Sequence, residues 1–323
     1  MRKILITGGA GFIGSHLAER YVADGADVVV VDDLSTGRLE NLAPIEASPS
    51  LRVVVADVRD EERMAQLLAD RDLVFHMAAR IGLKLVIQSP LTTLETNVDG
   101  TASVLRAARA AKAKIVVAST SEVYGLASRI PSAEEDPITI GAPTKGRWSY
   151  AASKALDEFM ALASWHEYGV PTVVVRLFNT VGPRQTGRYG MVIPRFVDQA
   201  LAGRPLTVYG DGTQTRCFCH VHDVVGALVR LADEPSAVGE VFNLGNPQET
   251  TINALAAQVI AVTGSSSMPV HVPFEEAYER HFEEIMRRVP DIAKIRERIG
   301  FAPQRDLEAI LRDVVADRAP VSV

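Results

Sequence analysis

The stretch Ile4-Leu5-Ile6-Thr7-Gly8-Gly9-Ala10-Gly11-Phe12-Ile13-Gly14 decides the fold of this chain. A short β-favouring run enters a glycine turn, and helix-forming composition follows from His16 to Ala23. Glycines there let the backbone turn sharply and approach a pyrophosphate. The helix start then offers free N–H groups and a positive dipole end to that anion. Gly14 allows the helix to pack closely on the strand. The next apolar run, Val28 to Asp32, ends in Asp32-Asp33. A carboxylate at that point accepts hydrogen bonds from ribose hydroxyls and repels a 2′-phosphate, so NAD is expected rather than NADP. Gly8, Gly11, Phe12, Ile13, Gly14, Asp32 and Asp33 are therefore the first cofactor residues.

Outward from this loop, Arg52 to Val55, Leu73 to Phe75, Lys114 to Ala118 and Thr172 to Leu177 read as strands. They are continuous apolar runs, as expected where both faces are covered. Arg63 to Ala69, Thr101 to Ala111 and Ala151 to Tyr168 read as helices between them. This alternation predicts an α/β fold, a Rossmann-type doubly wound parallel sheet with right-handed crossovers. After Leu177, Gly182-Pro183, Gly187, Gly190, Pro194, Gly203 and Pro205 punctuate shorter segments. Val221 to Leu231 (helix) and Glu240 to Leu244 (strand) return to the first sheet, so the domains interleave. The expected division is residues 1–180 plus 215–245 for an NAD-binding domain. Residues 181–214 plus 246–323 then form a smaller substrate domain. A length of 323 residues suits about two domains.

Composition excludes several classes. Apolar residues make up 47% and charged residues 23%, an ordinary globular balance. A net charge of −6 gives no footprint for nucleic acid. No apolar run approaches the ~18 residues of a membrane span. The first three residues mimic a signal peptide, but the glycine loop replaces its apolar region. Two cysteines, Cys217 and Cys219, exclude a disulfide framework and fit a reducing compartment, so a cytoplasmic location is expected. Cys217-Phe218-Cys219-His220-Val221-His222 has zinc-ligand residue types without the usual ligand spacing. It reads as a strand-to-helix junction, and no metal is expected.

The chemistry-bearing residues lie at the predicted strand ends. Asp57-Val58 is placed to meet an adenine edge, and Ala78-Ala79 to line a nicotinamide channel. His76 reads equally well as a packed strand-end residue or a cofactor contact. Tyr150 and Lys154 stand one turn apart on a predicted helix, on one face. Moving a phenol from pKa ~10 to ~7 takes about 4 kcal/mol of differential stabilisation, which the Lys154 ammonium and the NAD⁺ charge are expected to supply. The resulting base takes a hydroxyl proton near neutral pH. Tyr150 and Lys154 follow a strand ending Ser119-Thr120-Ser121-Glu122-Val123-Tyr124-Gly125, and Thr120 is placed to relay that proton.

With these motifs together, the sequence resembles the extended short-chain dehydrogenases/reductases of the nucleotide-sugar epimerase, dehydratase and decarboxylase group. The resemblance covers nearly the whole chain. It includes Gly8 to Gly14, Asp57, His76 to Ala79, Thr120 to Gly125, Tyr150 with Lys154, Arg176 to Pro183, Leu206 to Gly210, Arg216 to Asp223 and Asn243 to Pro247. It implies a tightly held NAD⁺, oxidation at sugar C4, a 4-keto intermediate and return of the hydride. The implied substrate is a UDP-sugar, a hexuronate or a hexose. Ser121 stands where 4,6-dehydratases of the group carry an acidic residue, which argues against that reaction. Thr120-Ser121-Glu122 is similar to UDP-glucuronate decarboxylases, as are Lys145 to Tyr150 and Arg288 to Ile292. Gly190 to Phe196 is closer to UDP-sugar 4-epimerases. Decarboxylation is thus the first reading and 4-epimerisation the alternative. A non-catalytic NAD sensor is a remote third, since Thr120, Tyr150 and Lys154 are all retained.

On the substrate side the resemblance points to Asn179 for the diphosphate or sugar. Thr207 and Tyr209 fall in the segment that stacks on the base. Arg216 and Arg288 read as diphosphate clamps, with Arg288 an alternative holder of a uronate carboxylate. Arg184, Arg188 and Arg195 are further cations for the nucleotide. Glu275 to Arg288 reads as a partly solvated helix face. Helical stretches Leu94 to Ala111 and Ala151 to Tyr168 resemble the dimer-forming helices of the group, which implies a homodimer.

Overall fold

Valine and isoleucine fill the interior strands because branched side chains pack well on a pleated surface. The computed structural model describes residues 1–187, 190–277 and 284–318. Its first region runs β1 (Lys3–Thr7), α1 (Phe12–Ala23), β2 (Asp27–Asp32), β3 (Leu51–Val55), α2 (Glu61–Leu68), β4 (Leu73–His76), α3 (Leu83–Gln88), α4 (Pro90–Ala111), β5 (Lys114–Thr120), α5 (Trp148–Tyr168) and β6 (Thr172–Leu177). The second runs β7 (Thr180–Val181), α6 (Val192–Leu201), β8 (Leu206–Tyr209), β9 (Thr215–Cys217), β10 (Cys219–His220), α7 (Val221–Asp233), β11 (Glu240–Leu244), β12 (Glu249–Thr251), α8 (Ile252–Thr263), β13 (Pro269–Val272), α9 (Phe274–Ala277), α10 (Ala293–Ile299) and α11 (Leu307–Arg318).

Among the described residues the main sheet has seven parallel strands in the order β11-β6-β5-β4-β1-β2-β3. Strand order reverses between β1 and β4, where Thr7 lies in register with His76. Open α/β sheets bind ligands at the carboxyl ends of strands beside such a reversal. Ile4, Val28, Phe75 and Val116 bury one face against α1 and α7. Leu5, Val29, Val74 and Val117 bury the other against α2 and α4. A separate core joins α6, β8, α8 and α11 through Phe196, Leu206, Leu255 and Leu311. The chain crosses back once more after it, because Ile292, Ile295 and Phe301 pack into the sheet core.

Three expectations are corrected. Strand β3 is a sheet edge with one neighbour, and Val55 is 62% exposed. Its apolar run does not mean two covered faces, since Val53 and Val55 stand exposed on this edge strand. Helix α4 starts at Pro90, well before Thr101, with proline in the first turn where it needs no partner for an N–H. Thr92, Thr93, Asn97 and Gly100 are weak helix formers that tertiary packing overrides, with Thr93, Asn97 and Gly100 buried. Arg288 lies in an irregular segment, not on a helix; of the expected helix only Phe274–Ala277 is seen, and 278–283 lie outside the described residues. Arg188 also lies outside them.

Candidate active site

The carboxyl ends of β1, β4 and β5 open into a cavity of about 1400 Å³ that extends to the second region. On the sheet side it is lined by Gly8, Gly11, Phe12, Ile13, Gly14, Asp32, Asp33, Val58, Ala78 and Ala79. Gly8 has φ +65°, and a Cβ there would stand 2.7 Å from the Ala78 nitrogen. A Cβ on Gly14 would stand 2.2 Å from the Gly8 carbonyl oxygen. The cradle therefore admits no side chain, and the bare backbone faces the cavity. Asp32 accepts from the Ala10 and Leu34 N–H groups at 3.0 and 2.9 Å. Burial raises its carboxyl from the usual range, against the pull of those hydrogen bonds. A backbone cradle at a helix start, with a carboxylate pair at the next strand end, fits NAD.

Asp57, an expected cofactor contact, is not among the lining residues, and for His76 the structure favours the packing reading. Asp57 turns away from the cavity to grip Arg59, accepting its Nε at 3.0 Å on both oxygens. Its short loop makes that local pair the nearest charge, so Val58 alone of the two lines the cavity. His76 is buried between the Thr7 and Thr101 hydroxyls, at 2.8 and 3.0 Å. Burial, then the Lys154 charge, lowers it to about 3, so it is neutral and a packing residue.

The end of β5 and the start of α5 bring Thr120, Ser121, Glu122, Tyr150 and Lys154 to the cavity wall. The Thr120 hydroxyl donates to the Tyr150 oxygen and also accepts from the Glu122 N–H at 3.2 Å. Beneath them lies a buried network. Arg176 donates to Glu158 at 2.9 and 2.7 Å and to Tyr124 Oη at 2.9 Å. Glu158 also takes a hydrogen bond from Ser119, and Tyr124 donates to Asn243 at 2.7 Å. A network with every member paired holds the strand end rigidly.

The expectation of a phenol lowered by Lys154 is corrected. Lys154 donates to Asp157 at 2.7 Å, and both are buried. The ammonium is thus neutralised at its own helix turn. Burial, followed by the nearby Glu122 charge, pushes Tyr150 above the ordinary phenol value, against the pull of Thr120.

Glu122 sits between two guanidiniums. One oxygen accepts from Arg147 at 3.1 Å, and the other pairs with Arg288. Burial alone would raise this carboxyl, but Arg288 and Arg147 outweigh it and hold it at about 2. Arg288 also donates to the Asn179 Oδ1 at 3.3 Å, and Asn179 donates to the Cys217 carbonyl at 2.8 Å. Arg216 pairs with Glu284 and donates to the Thr215 carbonyl. Arg195 lies 4.2 Å over the Tyr209 ring, and both line the cavity. Thr207 is not a lining residue. Its carbonyl accepts from Arg195 and its hydroxyl from Gln199, so it positions those side chains.

Arg147, Asp157 and Glu284 were not assigned a role by sequence. Arg147 sits inside the quoted Lys145 to Tyr150 segment. Asp157 was findable, since an acid three residues after a helical lysine shares its face. Glu284 has no sequence signal. The Cys217 to His222 stretch is a strand-to-helix junction, β10 leading into α7. Both cysteines are free and buried, and burial pushes the Cys217 thiol up to about 12.

A family model described as GDP-mannose 4,6 dehydratase matches residues 5–314. The UDP-N-acetyl-alpha-D-glucosaminuronate decarboxylase of Bacillus cytotoxicus is 42% identical over 315 residues, covering 97% of each chain. A UDP-glucose 4-epimerase structure from Thermotoga maritima, with UDP-glucose, is 30% identical with a TM-score of 0.88, covering 98% of each chain. A dTDP-glucose 4,6-dehydratase structure from Streptomyces venezuelae, with NAD bound, is 32% identical with a TM-score of 0.87, covering 98% of this chain and 96% of that one.

Proposed function

We propose, from the premise that this chain belongs to the GDP-mannose 4,6-dehydratase family and is an NAD-dependent enzyme of the extended short-chain dehydrogenase/reductase type, that it decarboxylates a UDP-hexuronate. The carrying observation is Glu122, ionised and held by Arg147 and Arg288 on the wall that carries Tyr150. A sugar carboxylate has a use for such guanidiniums, and C4 epimerisation of an uncharged hexose does not. The 42% identity to a hexuronate decarboxylase supports the same reading.

The chemistry that bound NAD supplies is a hydride acceptor for C4, a donor that restores it, and a positive ring charge that favours the Tyr150 phenolate. Gly8 to Gly14 and Asp32 hold that group. Tyr150, hydrogen-bonded to Thr120, takes the C4 hydroxyl proton. The substrate is then a β-keto acid. Its C5–carboxylate bond breaks, carbon dioxide leaves, and the bond's electron pair passes into a C4–C5 enolate. Thr120 and Tyr150 offer hydroxyls to the enolate oxygen, and C5 then takes a proton from water. Glu122, held at about 2, is no proton donor at neutral pH; its charge orders Arg147 and Arg288. Asn179, Arg195, Tyr209 and Arg216 carry the nucleotide side, with guanidinium forks suited to diphosphate oxygens.

The second reading, C4 epimerisation, is favoured by the Thermotoga maritima epimerase, whose fold matches along the whole chain. An NMR time course with UDP-glucuronate, UDP-N-acetylglucosaminuronate and UDP-glucose separates the readings. Carbon dioxide and a pentose nucleotide from a uronate are expected. Inversion at C4 without gas establishes the epimerase, and an NAD-loaded protein that turns over none of the three would be a sensor. We assign the enzyme to the cytoplasm as a homodimer. Its free cysteines suit a reducing compartment, and α4 and α5 expose Leu91, Leu156 and Phe159 for a second copy. No helix among the described residues is long and apolar enough to cross a membrane.

A further inference from the structure

The loop that leaves β7 is tied to three elements at once. Pro183 accepts through its carbonyl from His16 of α1 at 3.1 Å. The Arg184 N–H donates to Asp317 of α11 at 3.0 Å. The Gln185 carbonyl accepts from Arg318, which also donates to Asp198 of α6 at 2.7 Å. At the centre, Arg184 takes φ +67°. That backbone state costs an ordinary residue about 1–2 kcal/mol. It sends the guanidinium back across α1, where Nη1 stands 3.4 Å from the Ser15 hydroxyl and Nη2 pairs with Glu19. Arg184 lines the same cavity as Gly11, Phe12, Ile13 and Gly14. Its side chain is 16% exposed.

A diphosphate on that cradle carries more negative charge than a helix dipole of about half a unit can balance. A guanidinium fork is the side chain best suited to add the rest. The cations across the cavity, Arg147, Arg216 and Arg288, are engaged with Glu122 and Glu284. We propose that Arg184 is a binding residue for the cofactor's diphosphate, and that its loop thereby ties cofactor binding to the seating of α6 and α11. Glu19 screens this charge from one turn further along α1. The inference rests on the dinucleotide reading of the cradle and is independent of which sugar reaction follows.

The test is binding. Dissociation constants for NADH by fluorescence, and for ADP and adenosine by calorimetry, are compared in the wild type, Arg184→Gln, Arg184→Lys and Glu19→Gln. Loss of one charge-assisted hydrogen bond predicts about tenfold weaker NADH and ADP binding in Arg184→Gln, with adenosine unchanged within about twofold. Arg184→Lys keeps the charge and loses less. Glu19→Gln keeps or tightens ADP binding. Equal losses for ADP and adenosine, or no loss in Arg184→Gln, would overturn the proposal. So would a Glu19→Gln loss matching that of Arg184→Gln, which is what a merely structural pair gives. If Arg184→Gln does not fold, the other two variants decide by the same criteria. Failure of wild-type protein to bind adenosine or NADH at all would instead remove the dinucleotide reading itself.

Discussion

The two walls of the cavity are built by different means. The wall from β1, β2 and α1 presents glycine backbone, Phe12, Ile13 and the carboxylate pair Asp32 and Asp33, the first of them anchored by backbone N–H groups. The opposite wall presents guanidiniums from α6, β9 and the irregular segment before α10, each already engaged by a carboxylate or carbonyl. A backbone site cannot be retuned without moving a strand. A side-chain site can be rebuilt one residue at a time. The three proteins compared above are named for three different reactions, yet each aligns with nearly all of this chain. One fold thus serves several named reactions, so the reaction is argued from the site and not from the fold.

The sharpest way to break this division is at Tyr150, where the walls meet. Tyr150→Phe should lower turnover by about 10²–10⁴ while leaving NAD content unchanged. Steady-state kinetics and cofactor quantitation on the same preparation check both halves. Simultaneous loss of NAD would mean that the walls are not separable.

Acid stability gives the next effect, on the sheet side. His76 is lowered to about 3 and His16 to about 4, chiefly by burial. Between pH ~6.5 and those values the unfolded chain binds protons that the folded chain refuses. Stability is therefore full above pH ~6.5 and falls as the pH drops towards 4. Each histidine contributes a slope of about 1.4 kcal/mol per pH unit. Urea denaturation across pH 4–7 measures it, and His76→Asn should remove about one proton from the slope. An unchanged slope would show that His76 titrates alike in both states.

The smallest effect separates edge from centre within one sheet. Val55→Thr, on the exposed edge, should change stability by no more than about 0.5 kcal/mol. Val31→Thr places a hydroxyl in a fully buried position and should cost about 1–3 kcal/mol. Paired thermal melts compare them, and equal shifts would mean that β3 is buried in the assembled protein.

Much of the cofactor wall was legible because its signals are local. Gly8, Gly11, Phe12, Ile13, Gly14, Asp32, Tyr150 and Lys154 each carry meaning within a turn or a strand, and all line the cavity. The substrate wall was legible only as a set of residue types. Arg216 and Arg288 were recognised as cations and Glu122 as part of the reaction signature, but neither the Glu122–Arg288 pair nor Glu284 was read. Glu122 and Arg288 are 166 positions apart in the chain, and no periodicity links such residues. Lys154 differs, because its partner Asp157 stands on the same helix face three residues on and was within reach of the sequence.

From the sequence by itself came the alternating elements, the sheet class, the dinucleotide loop and the tyrosine–lysine pair. These follow from side-chain periodicity, glycine geometry and spacing along a helix, which act over a few residues. Tertiary structure alone decided which strand stands bare at the edge, which distant acids neutralise which bases, and that burial with Glu122 nearby raises the Tyr150 phenol. Those outcomes depend on burial and charge between distant segments, and the field at a side chain is set only once the chain has closed around it.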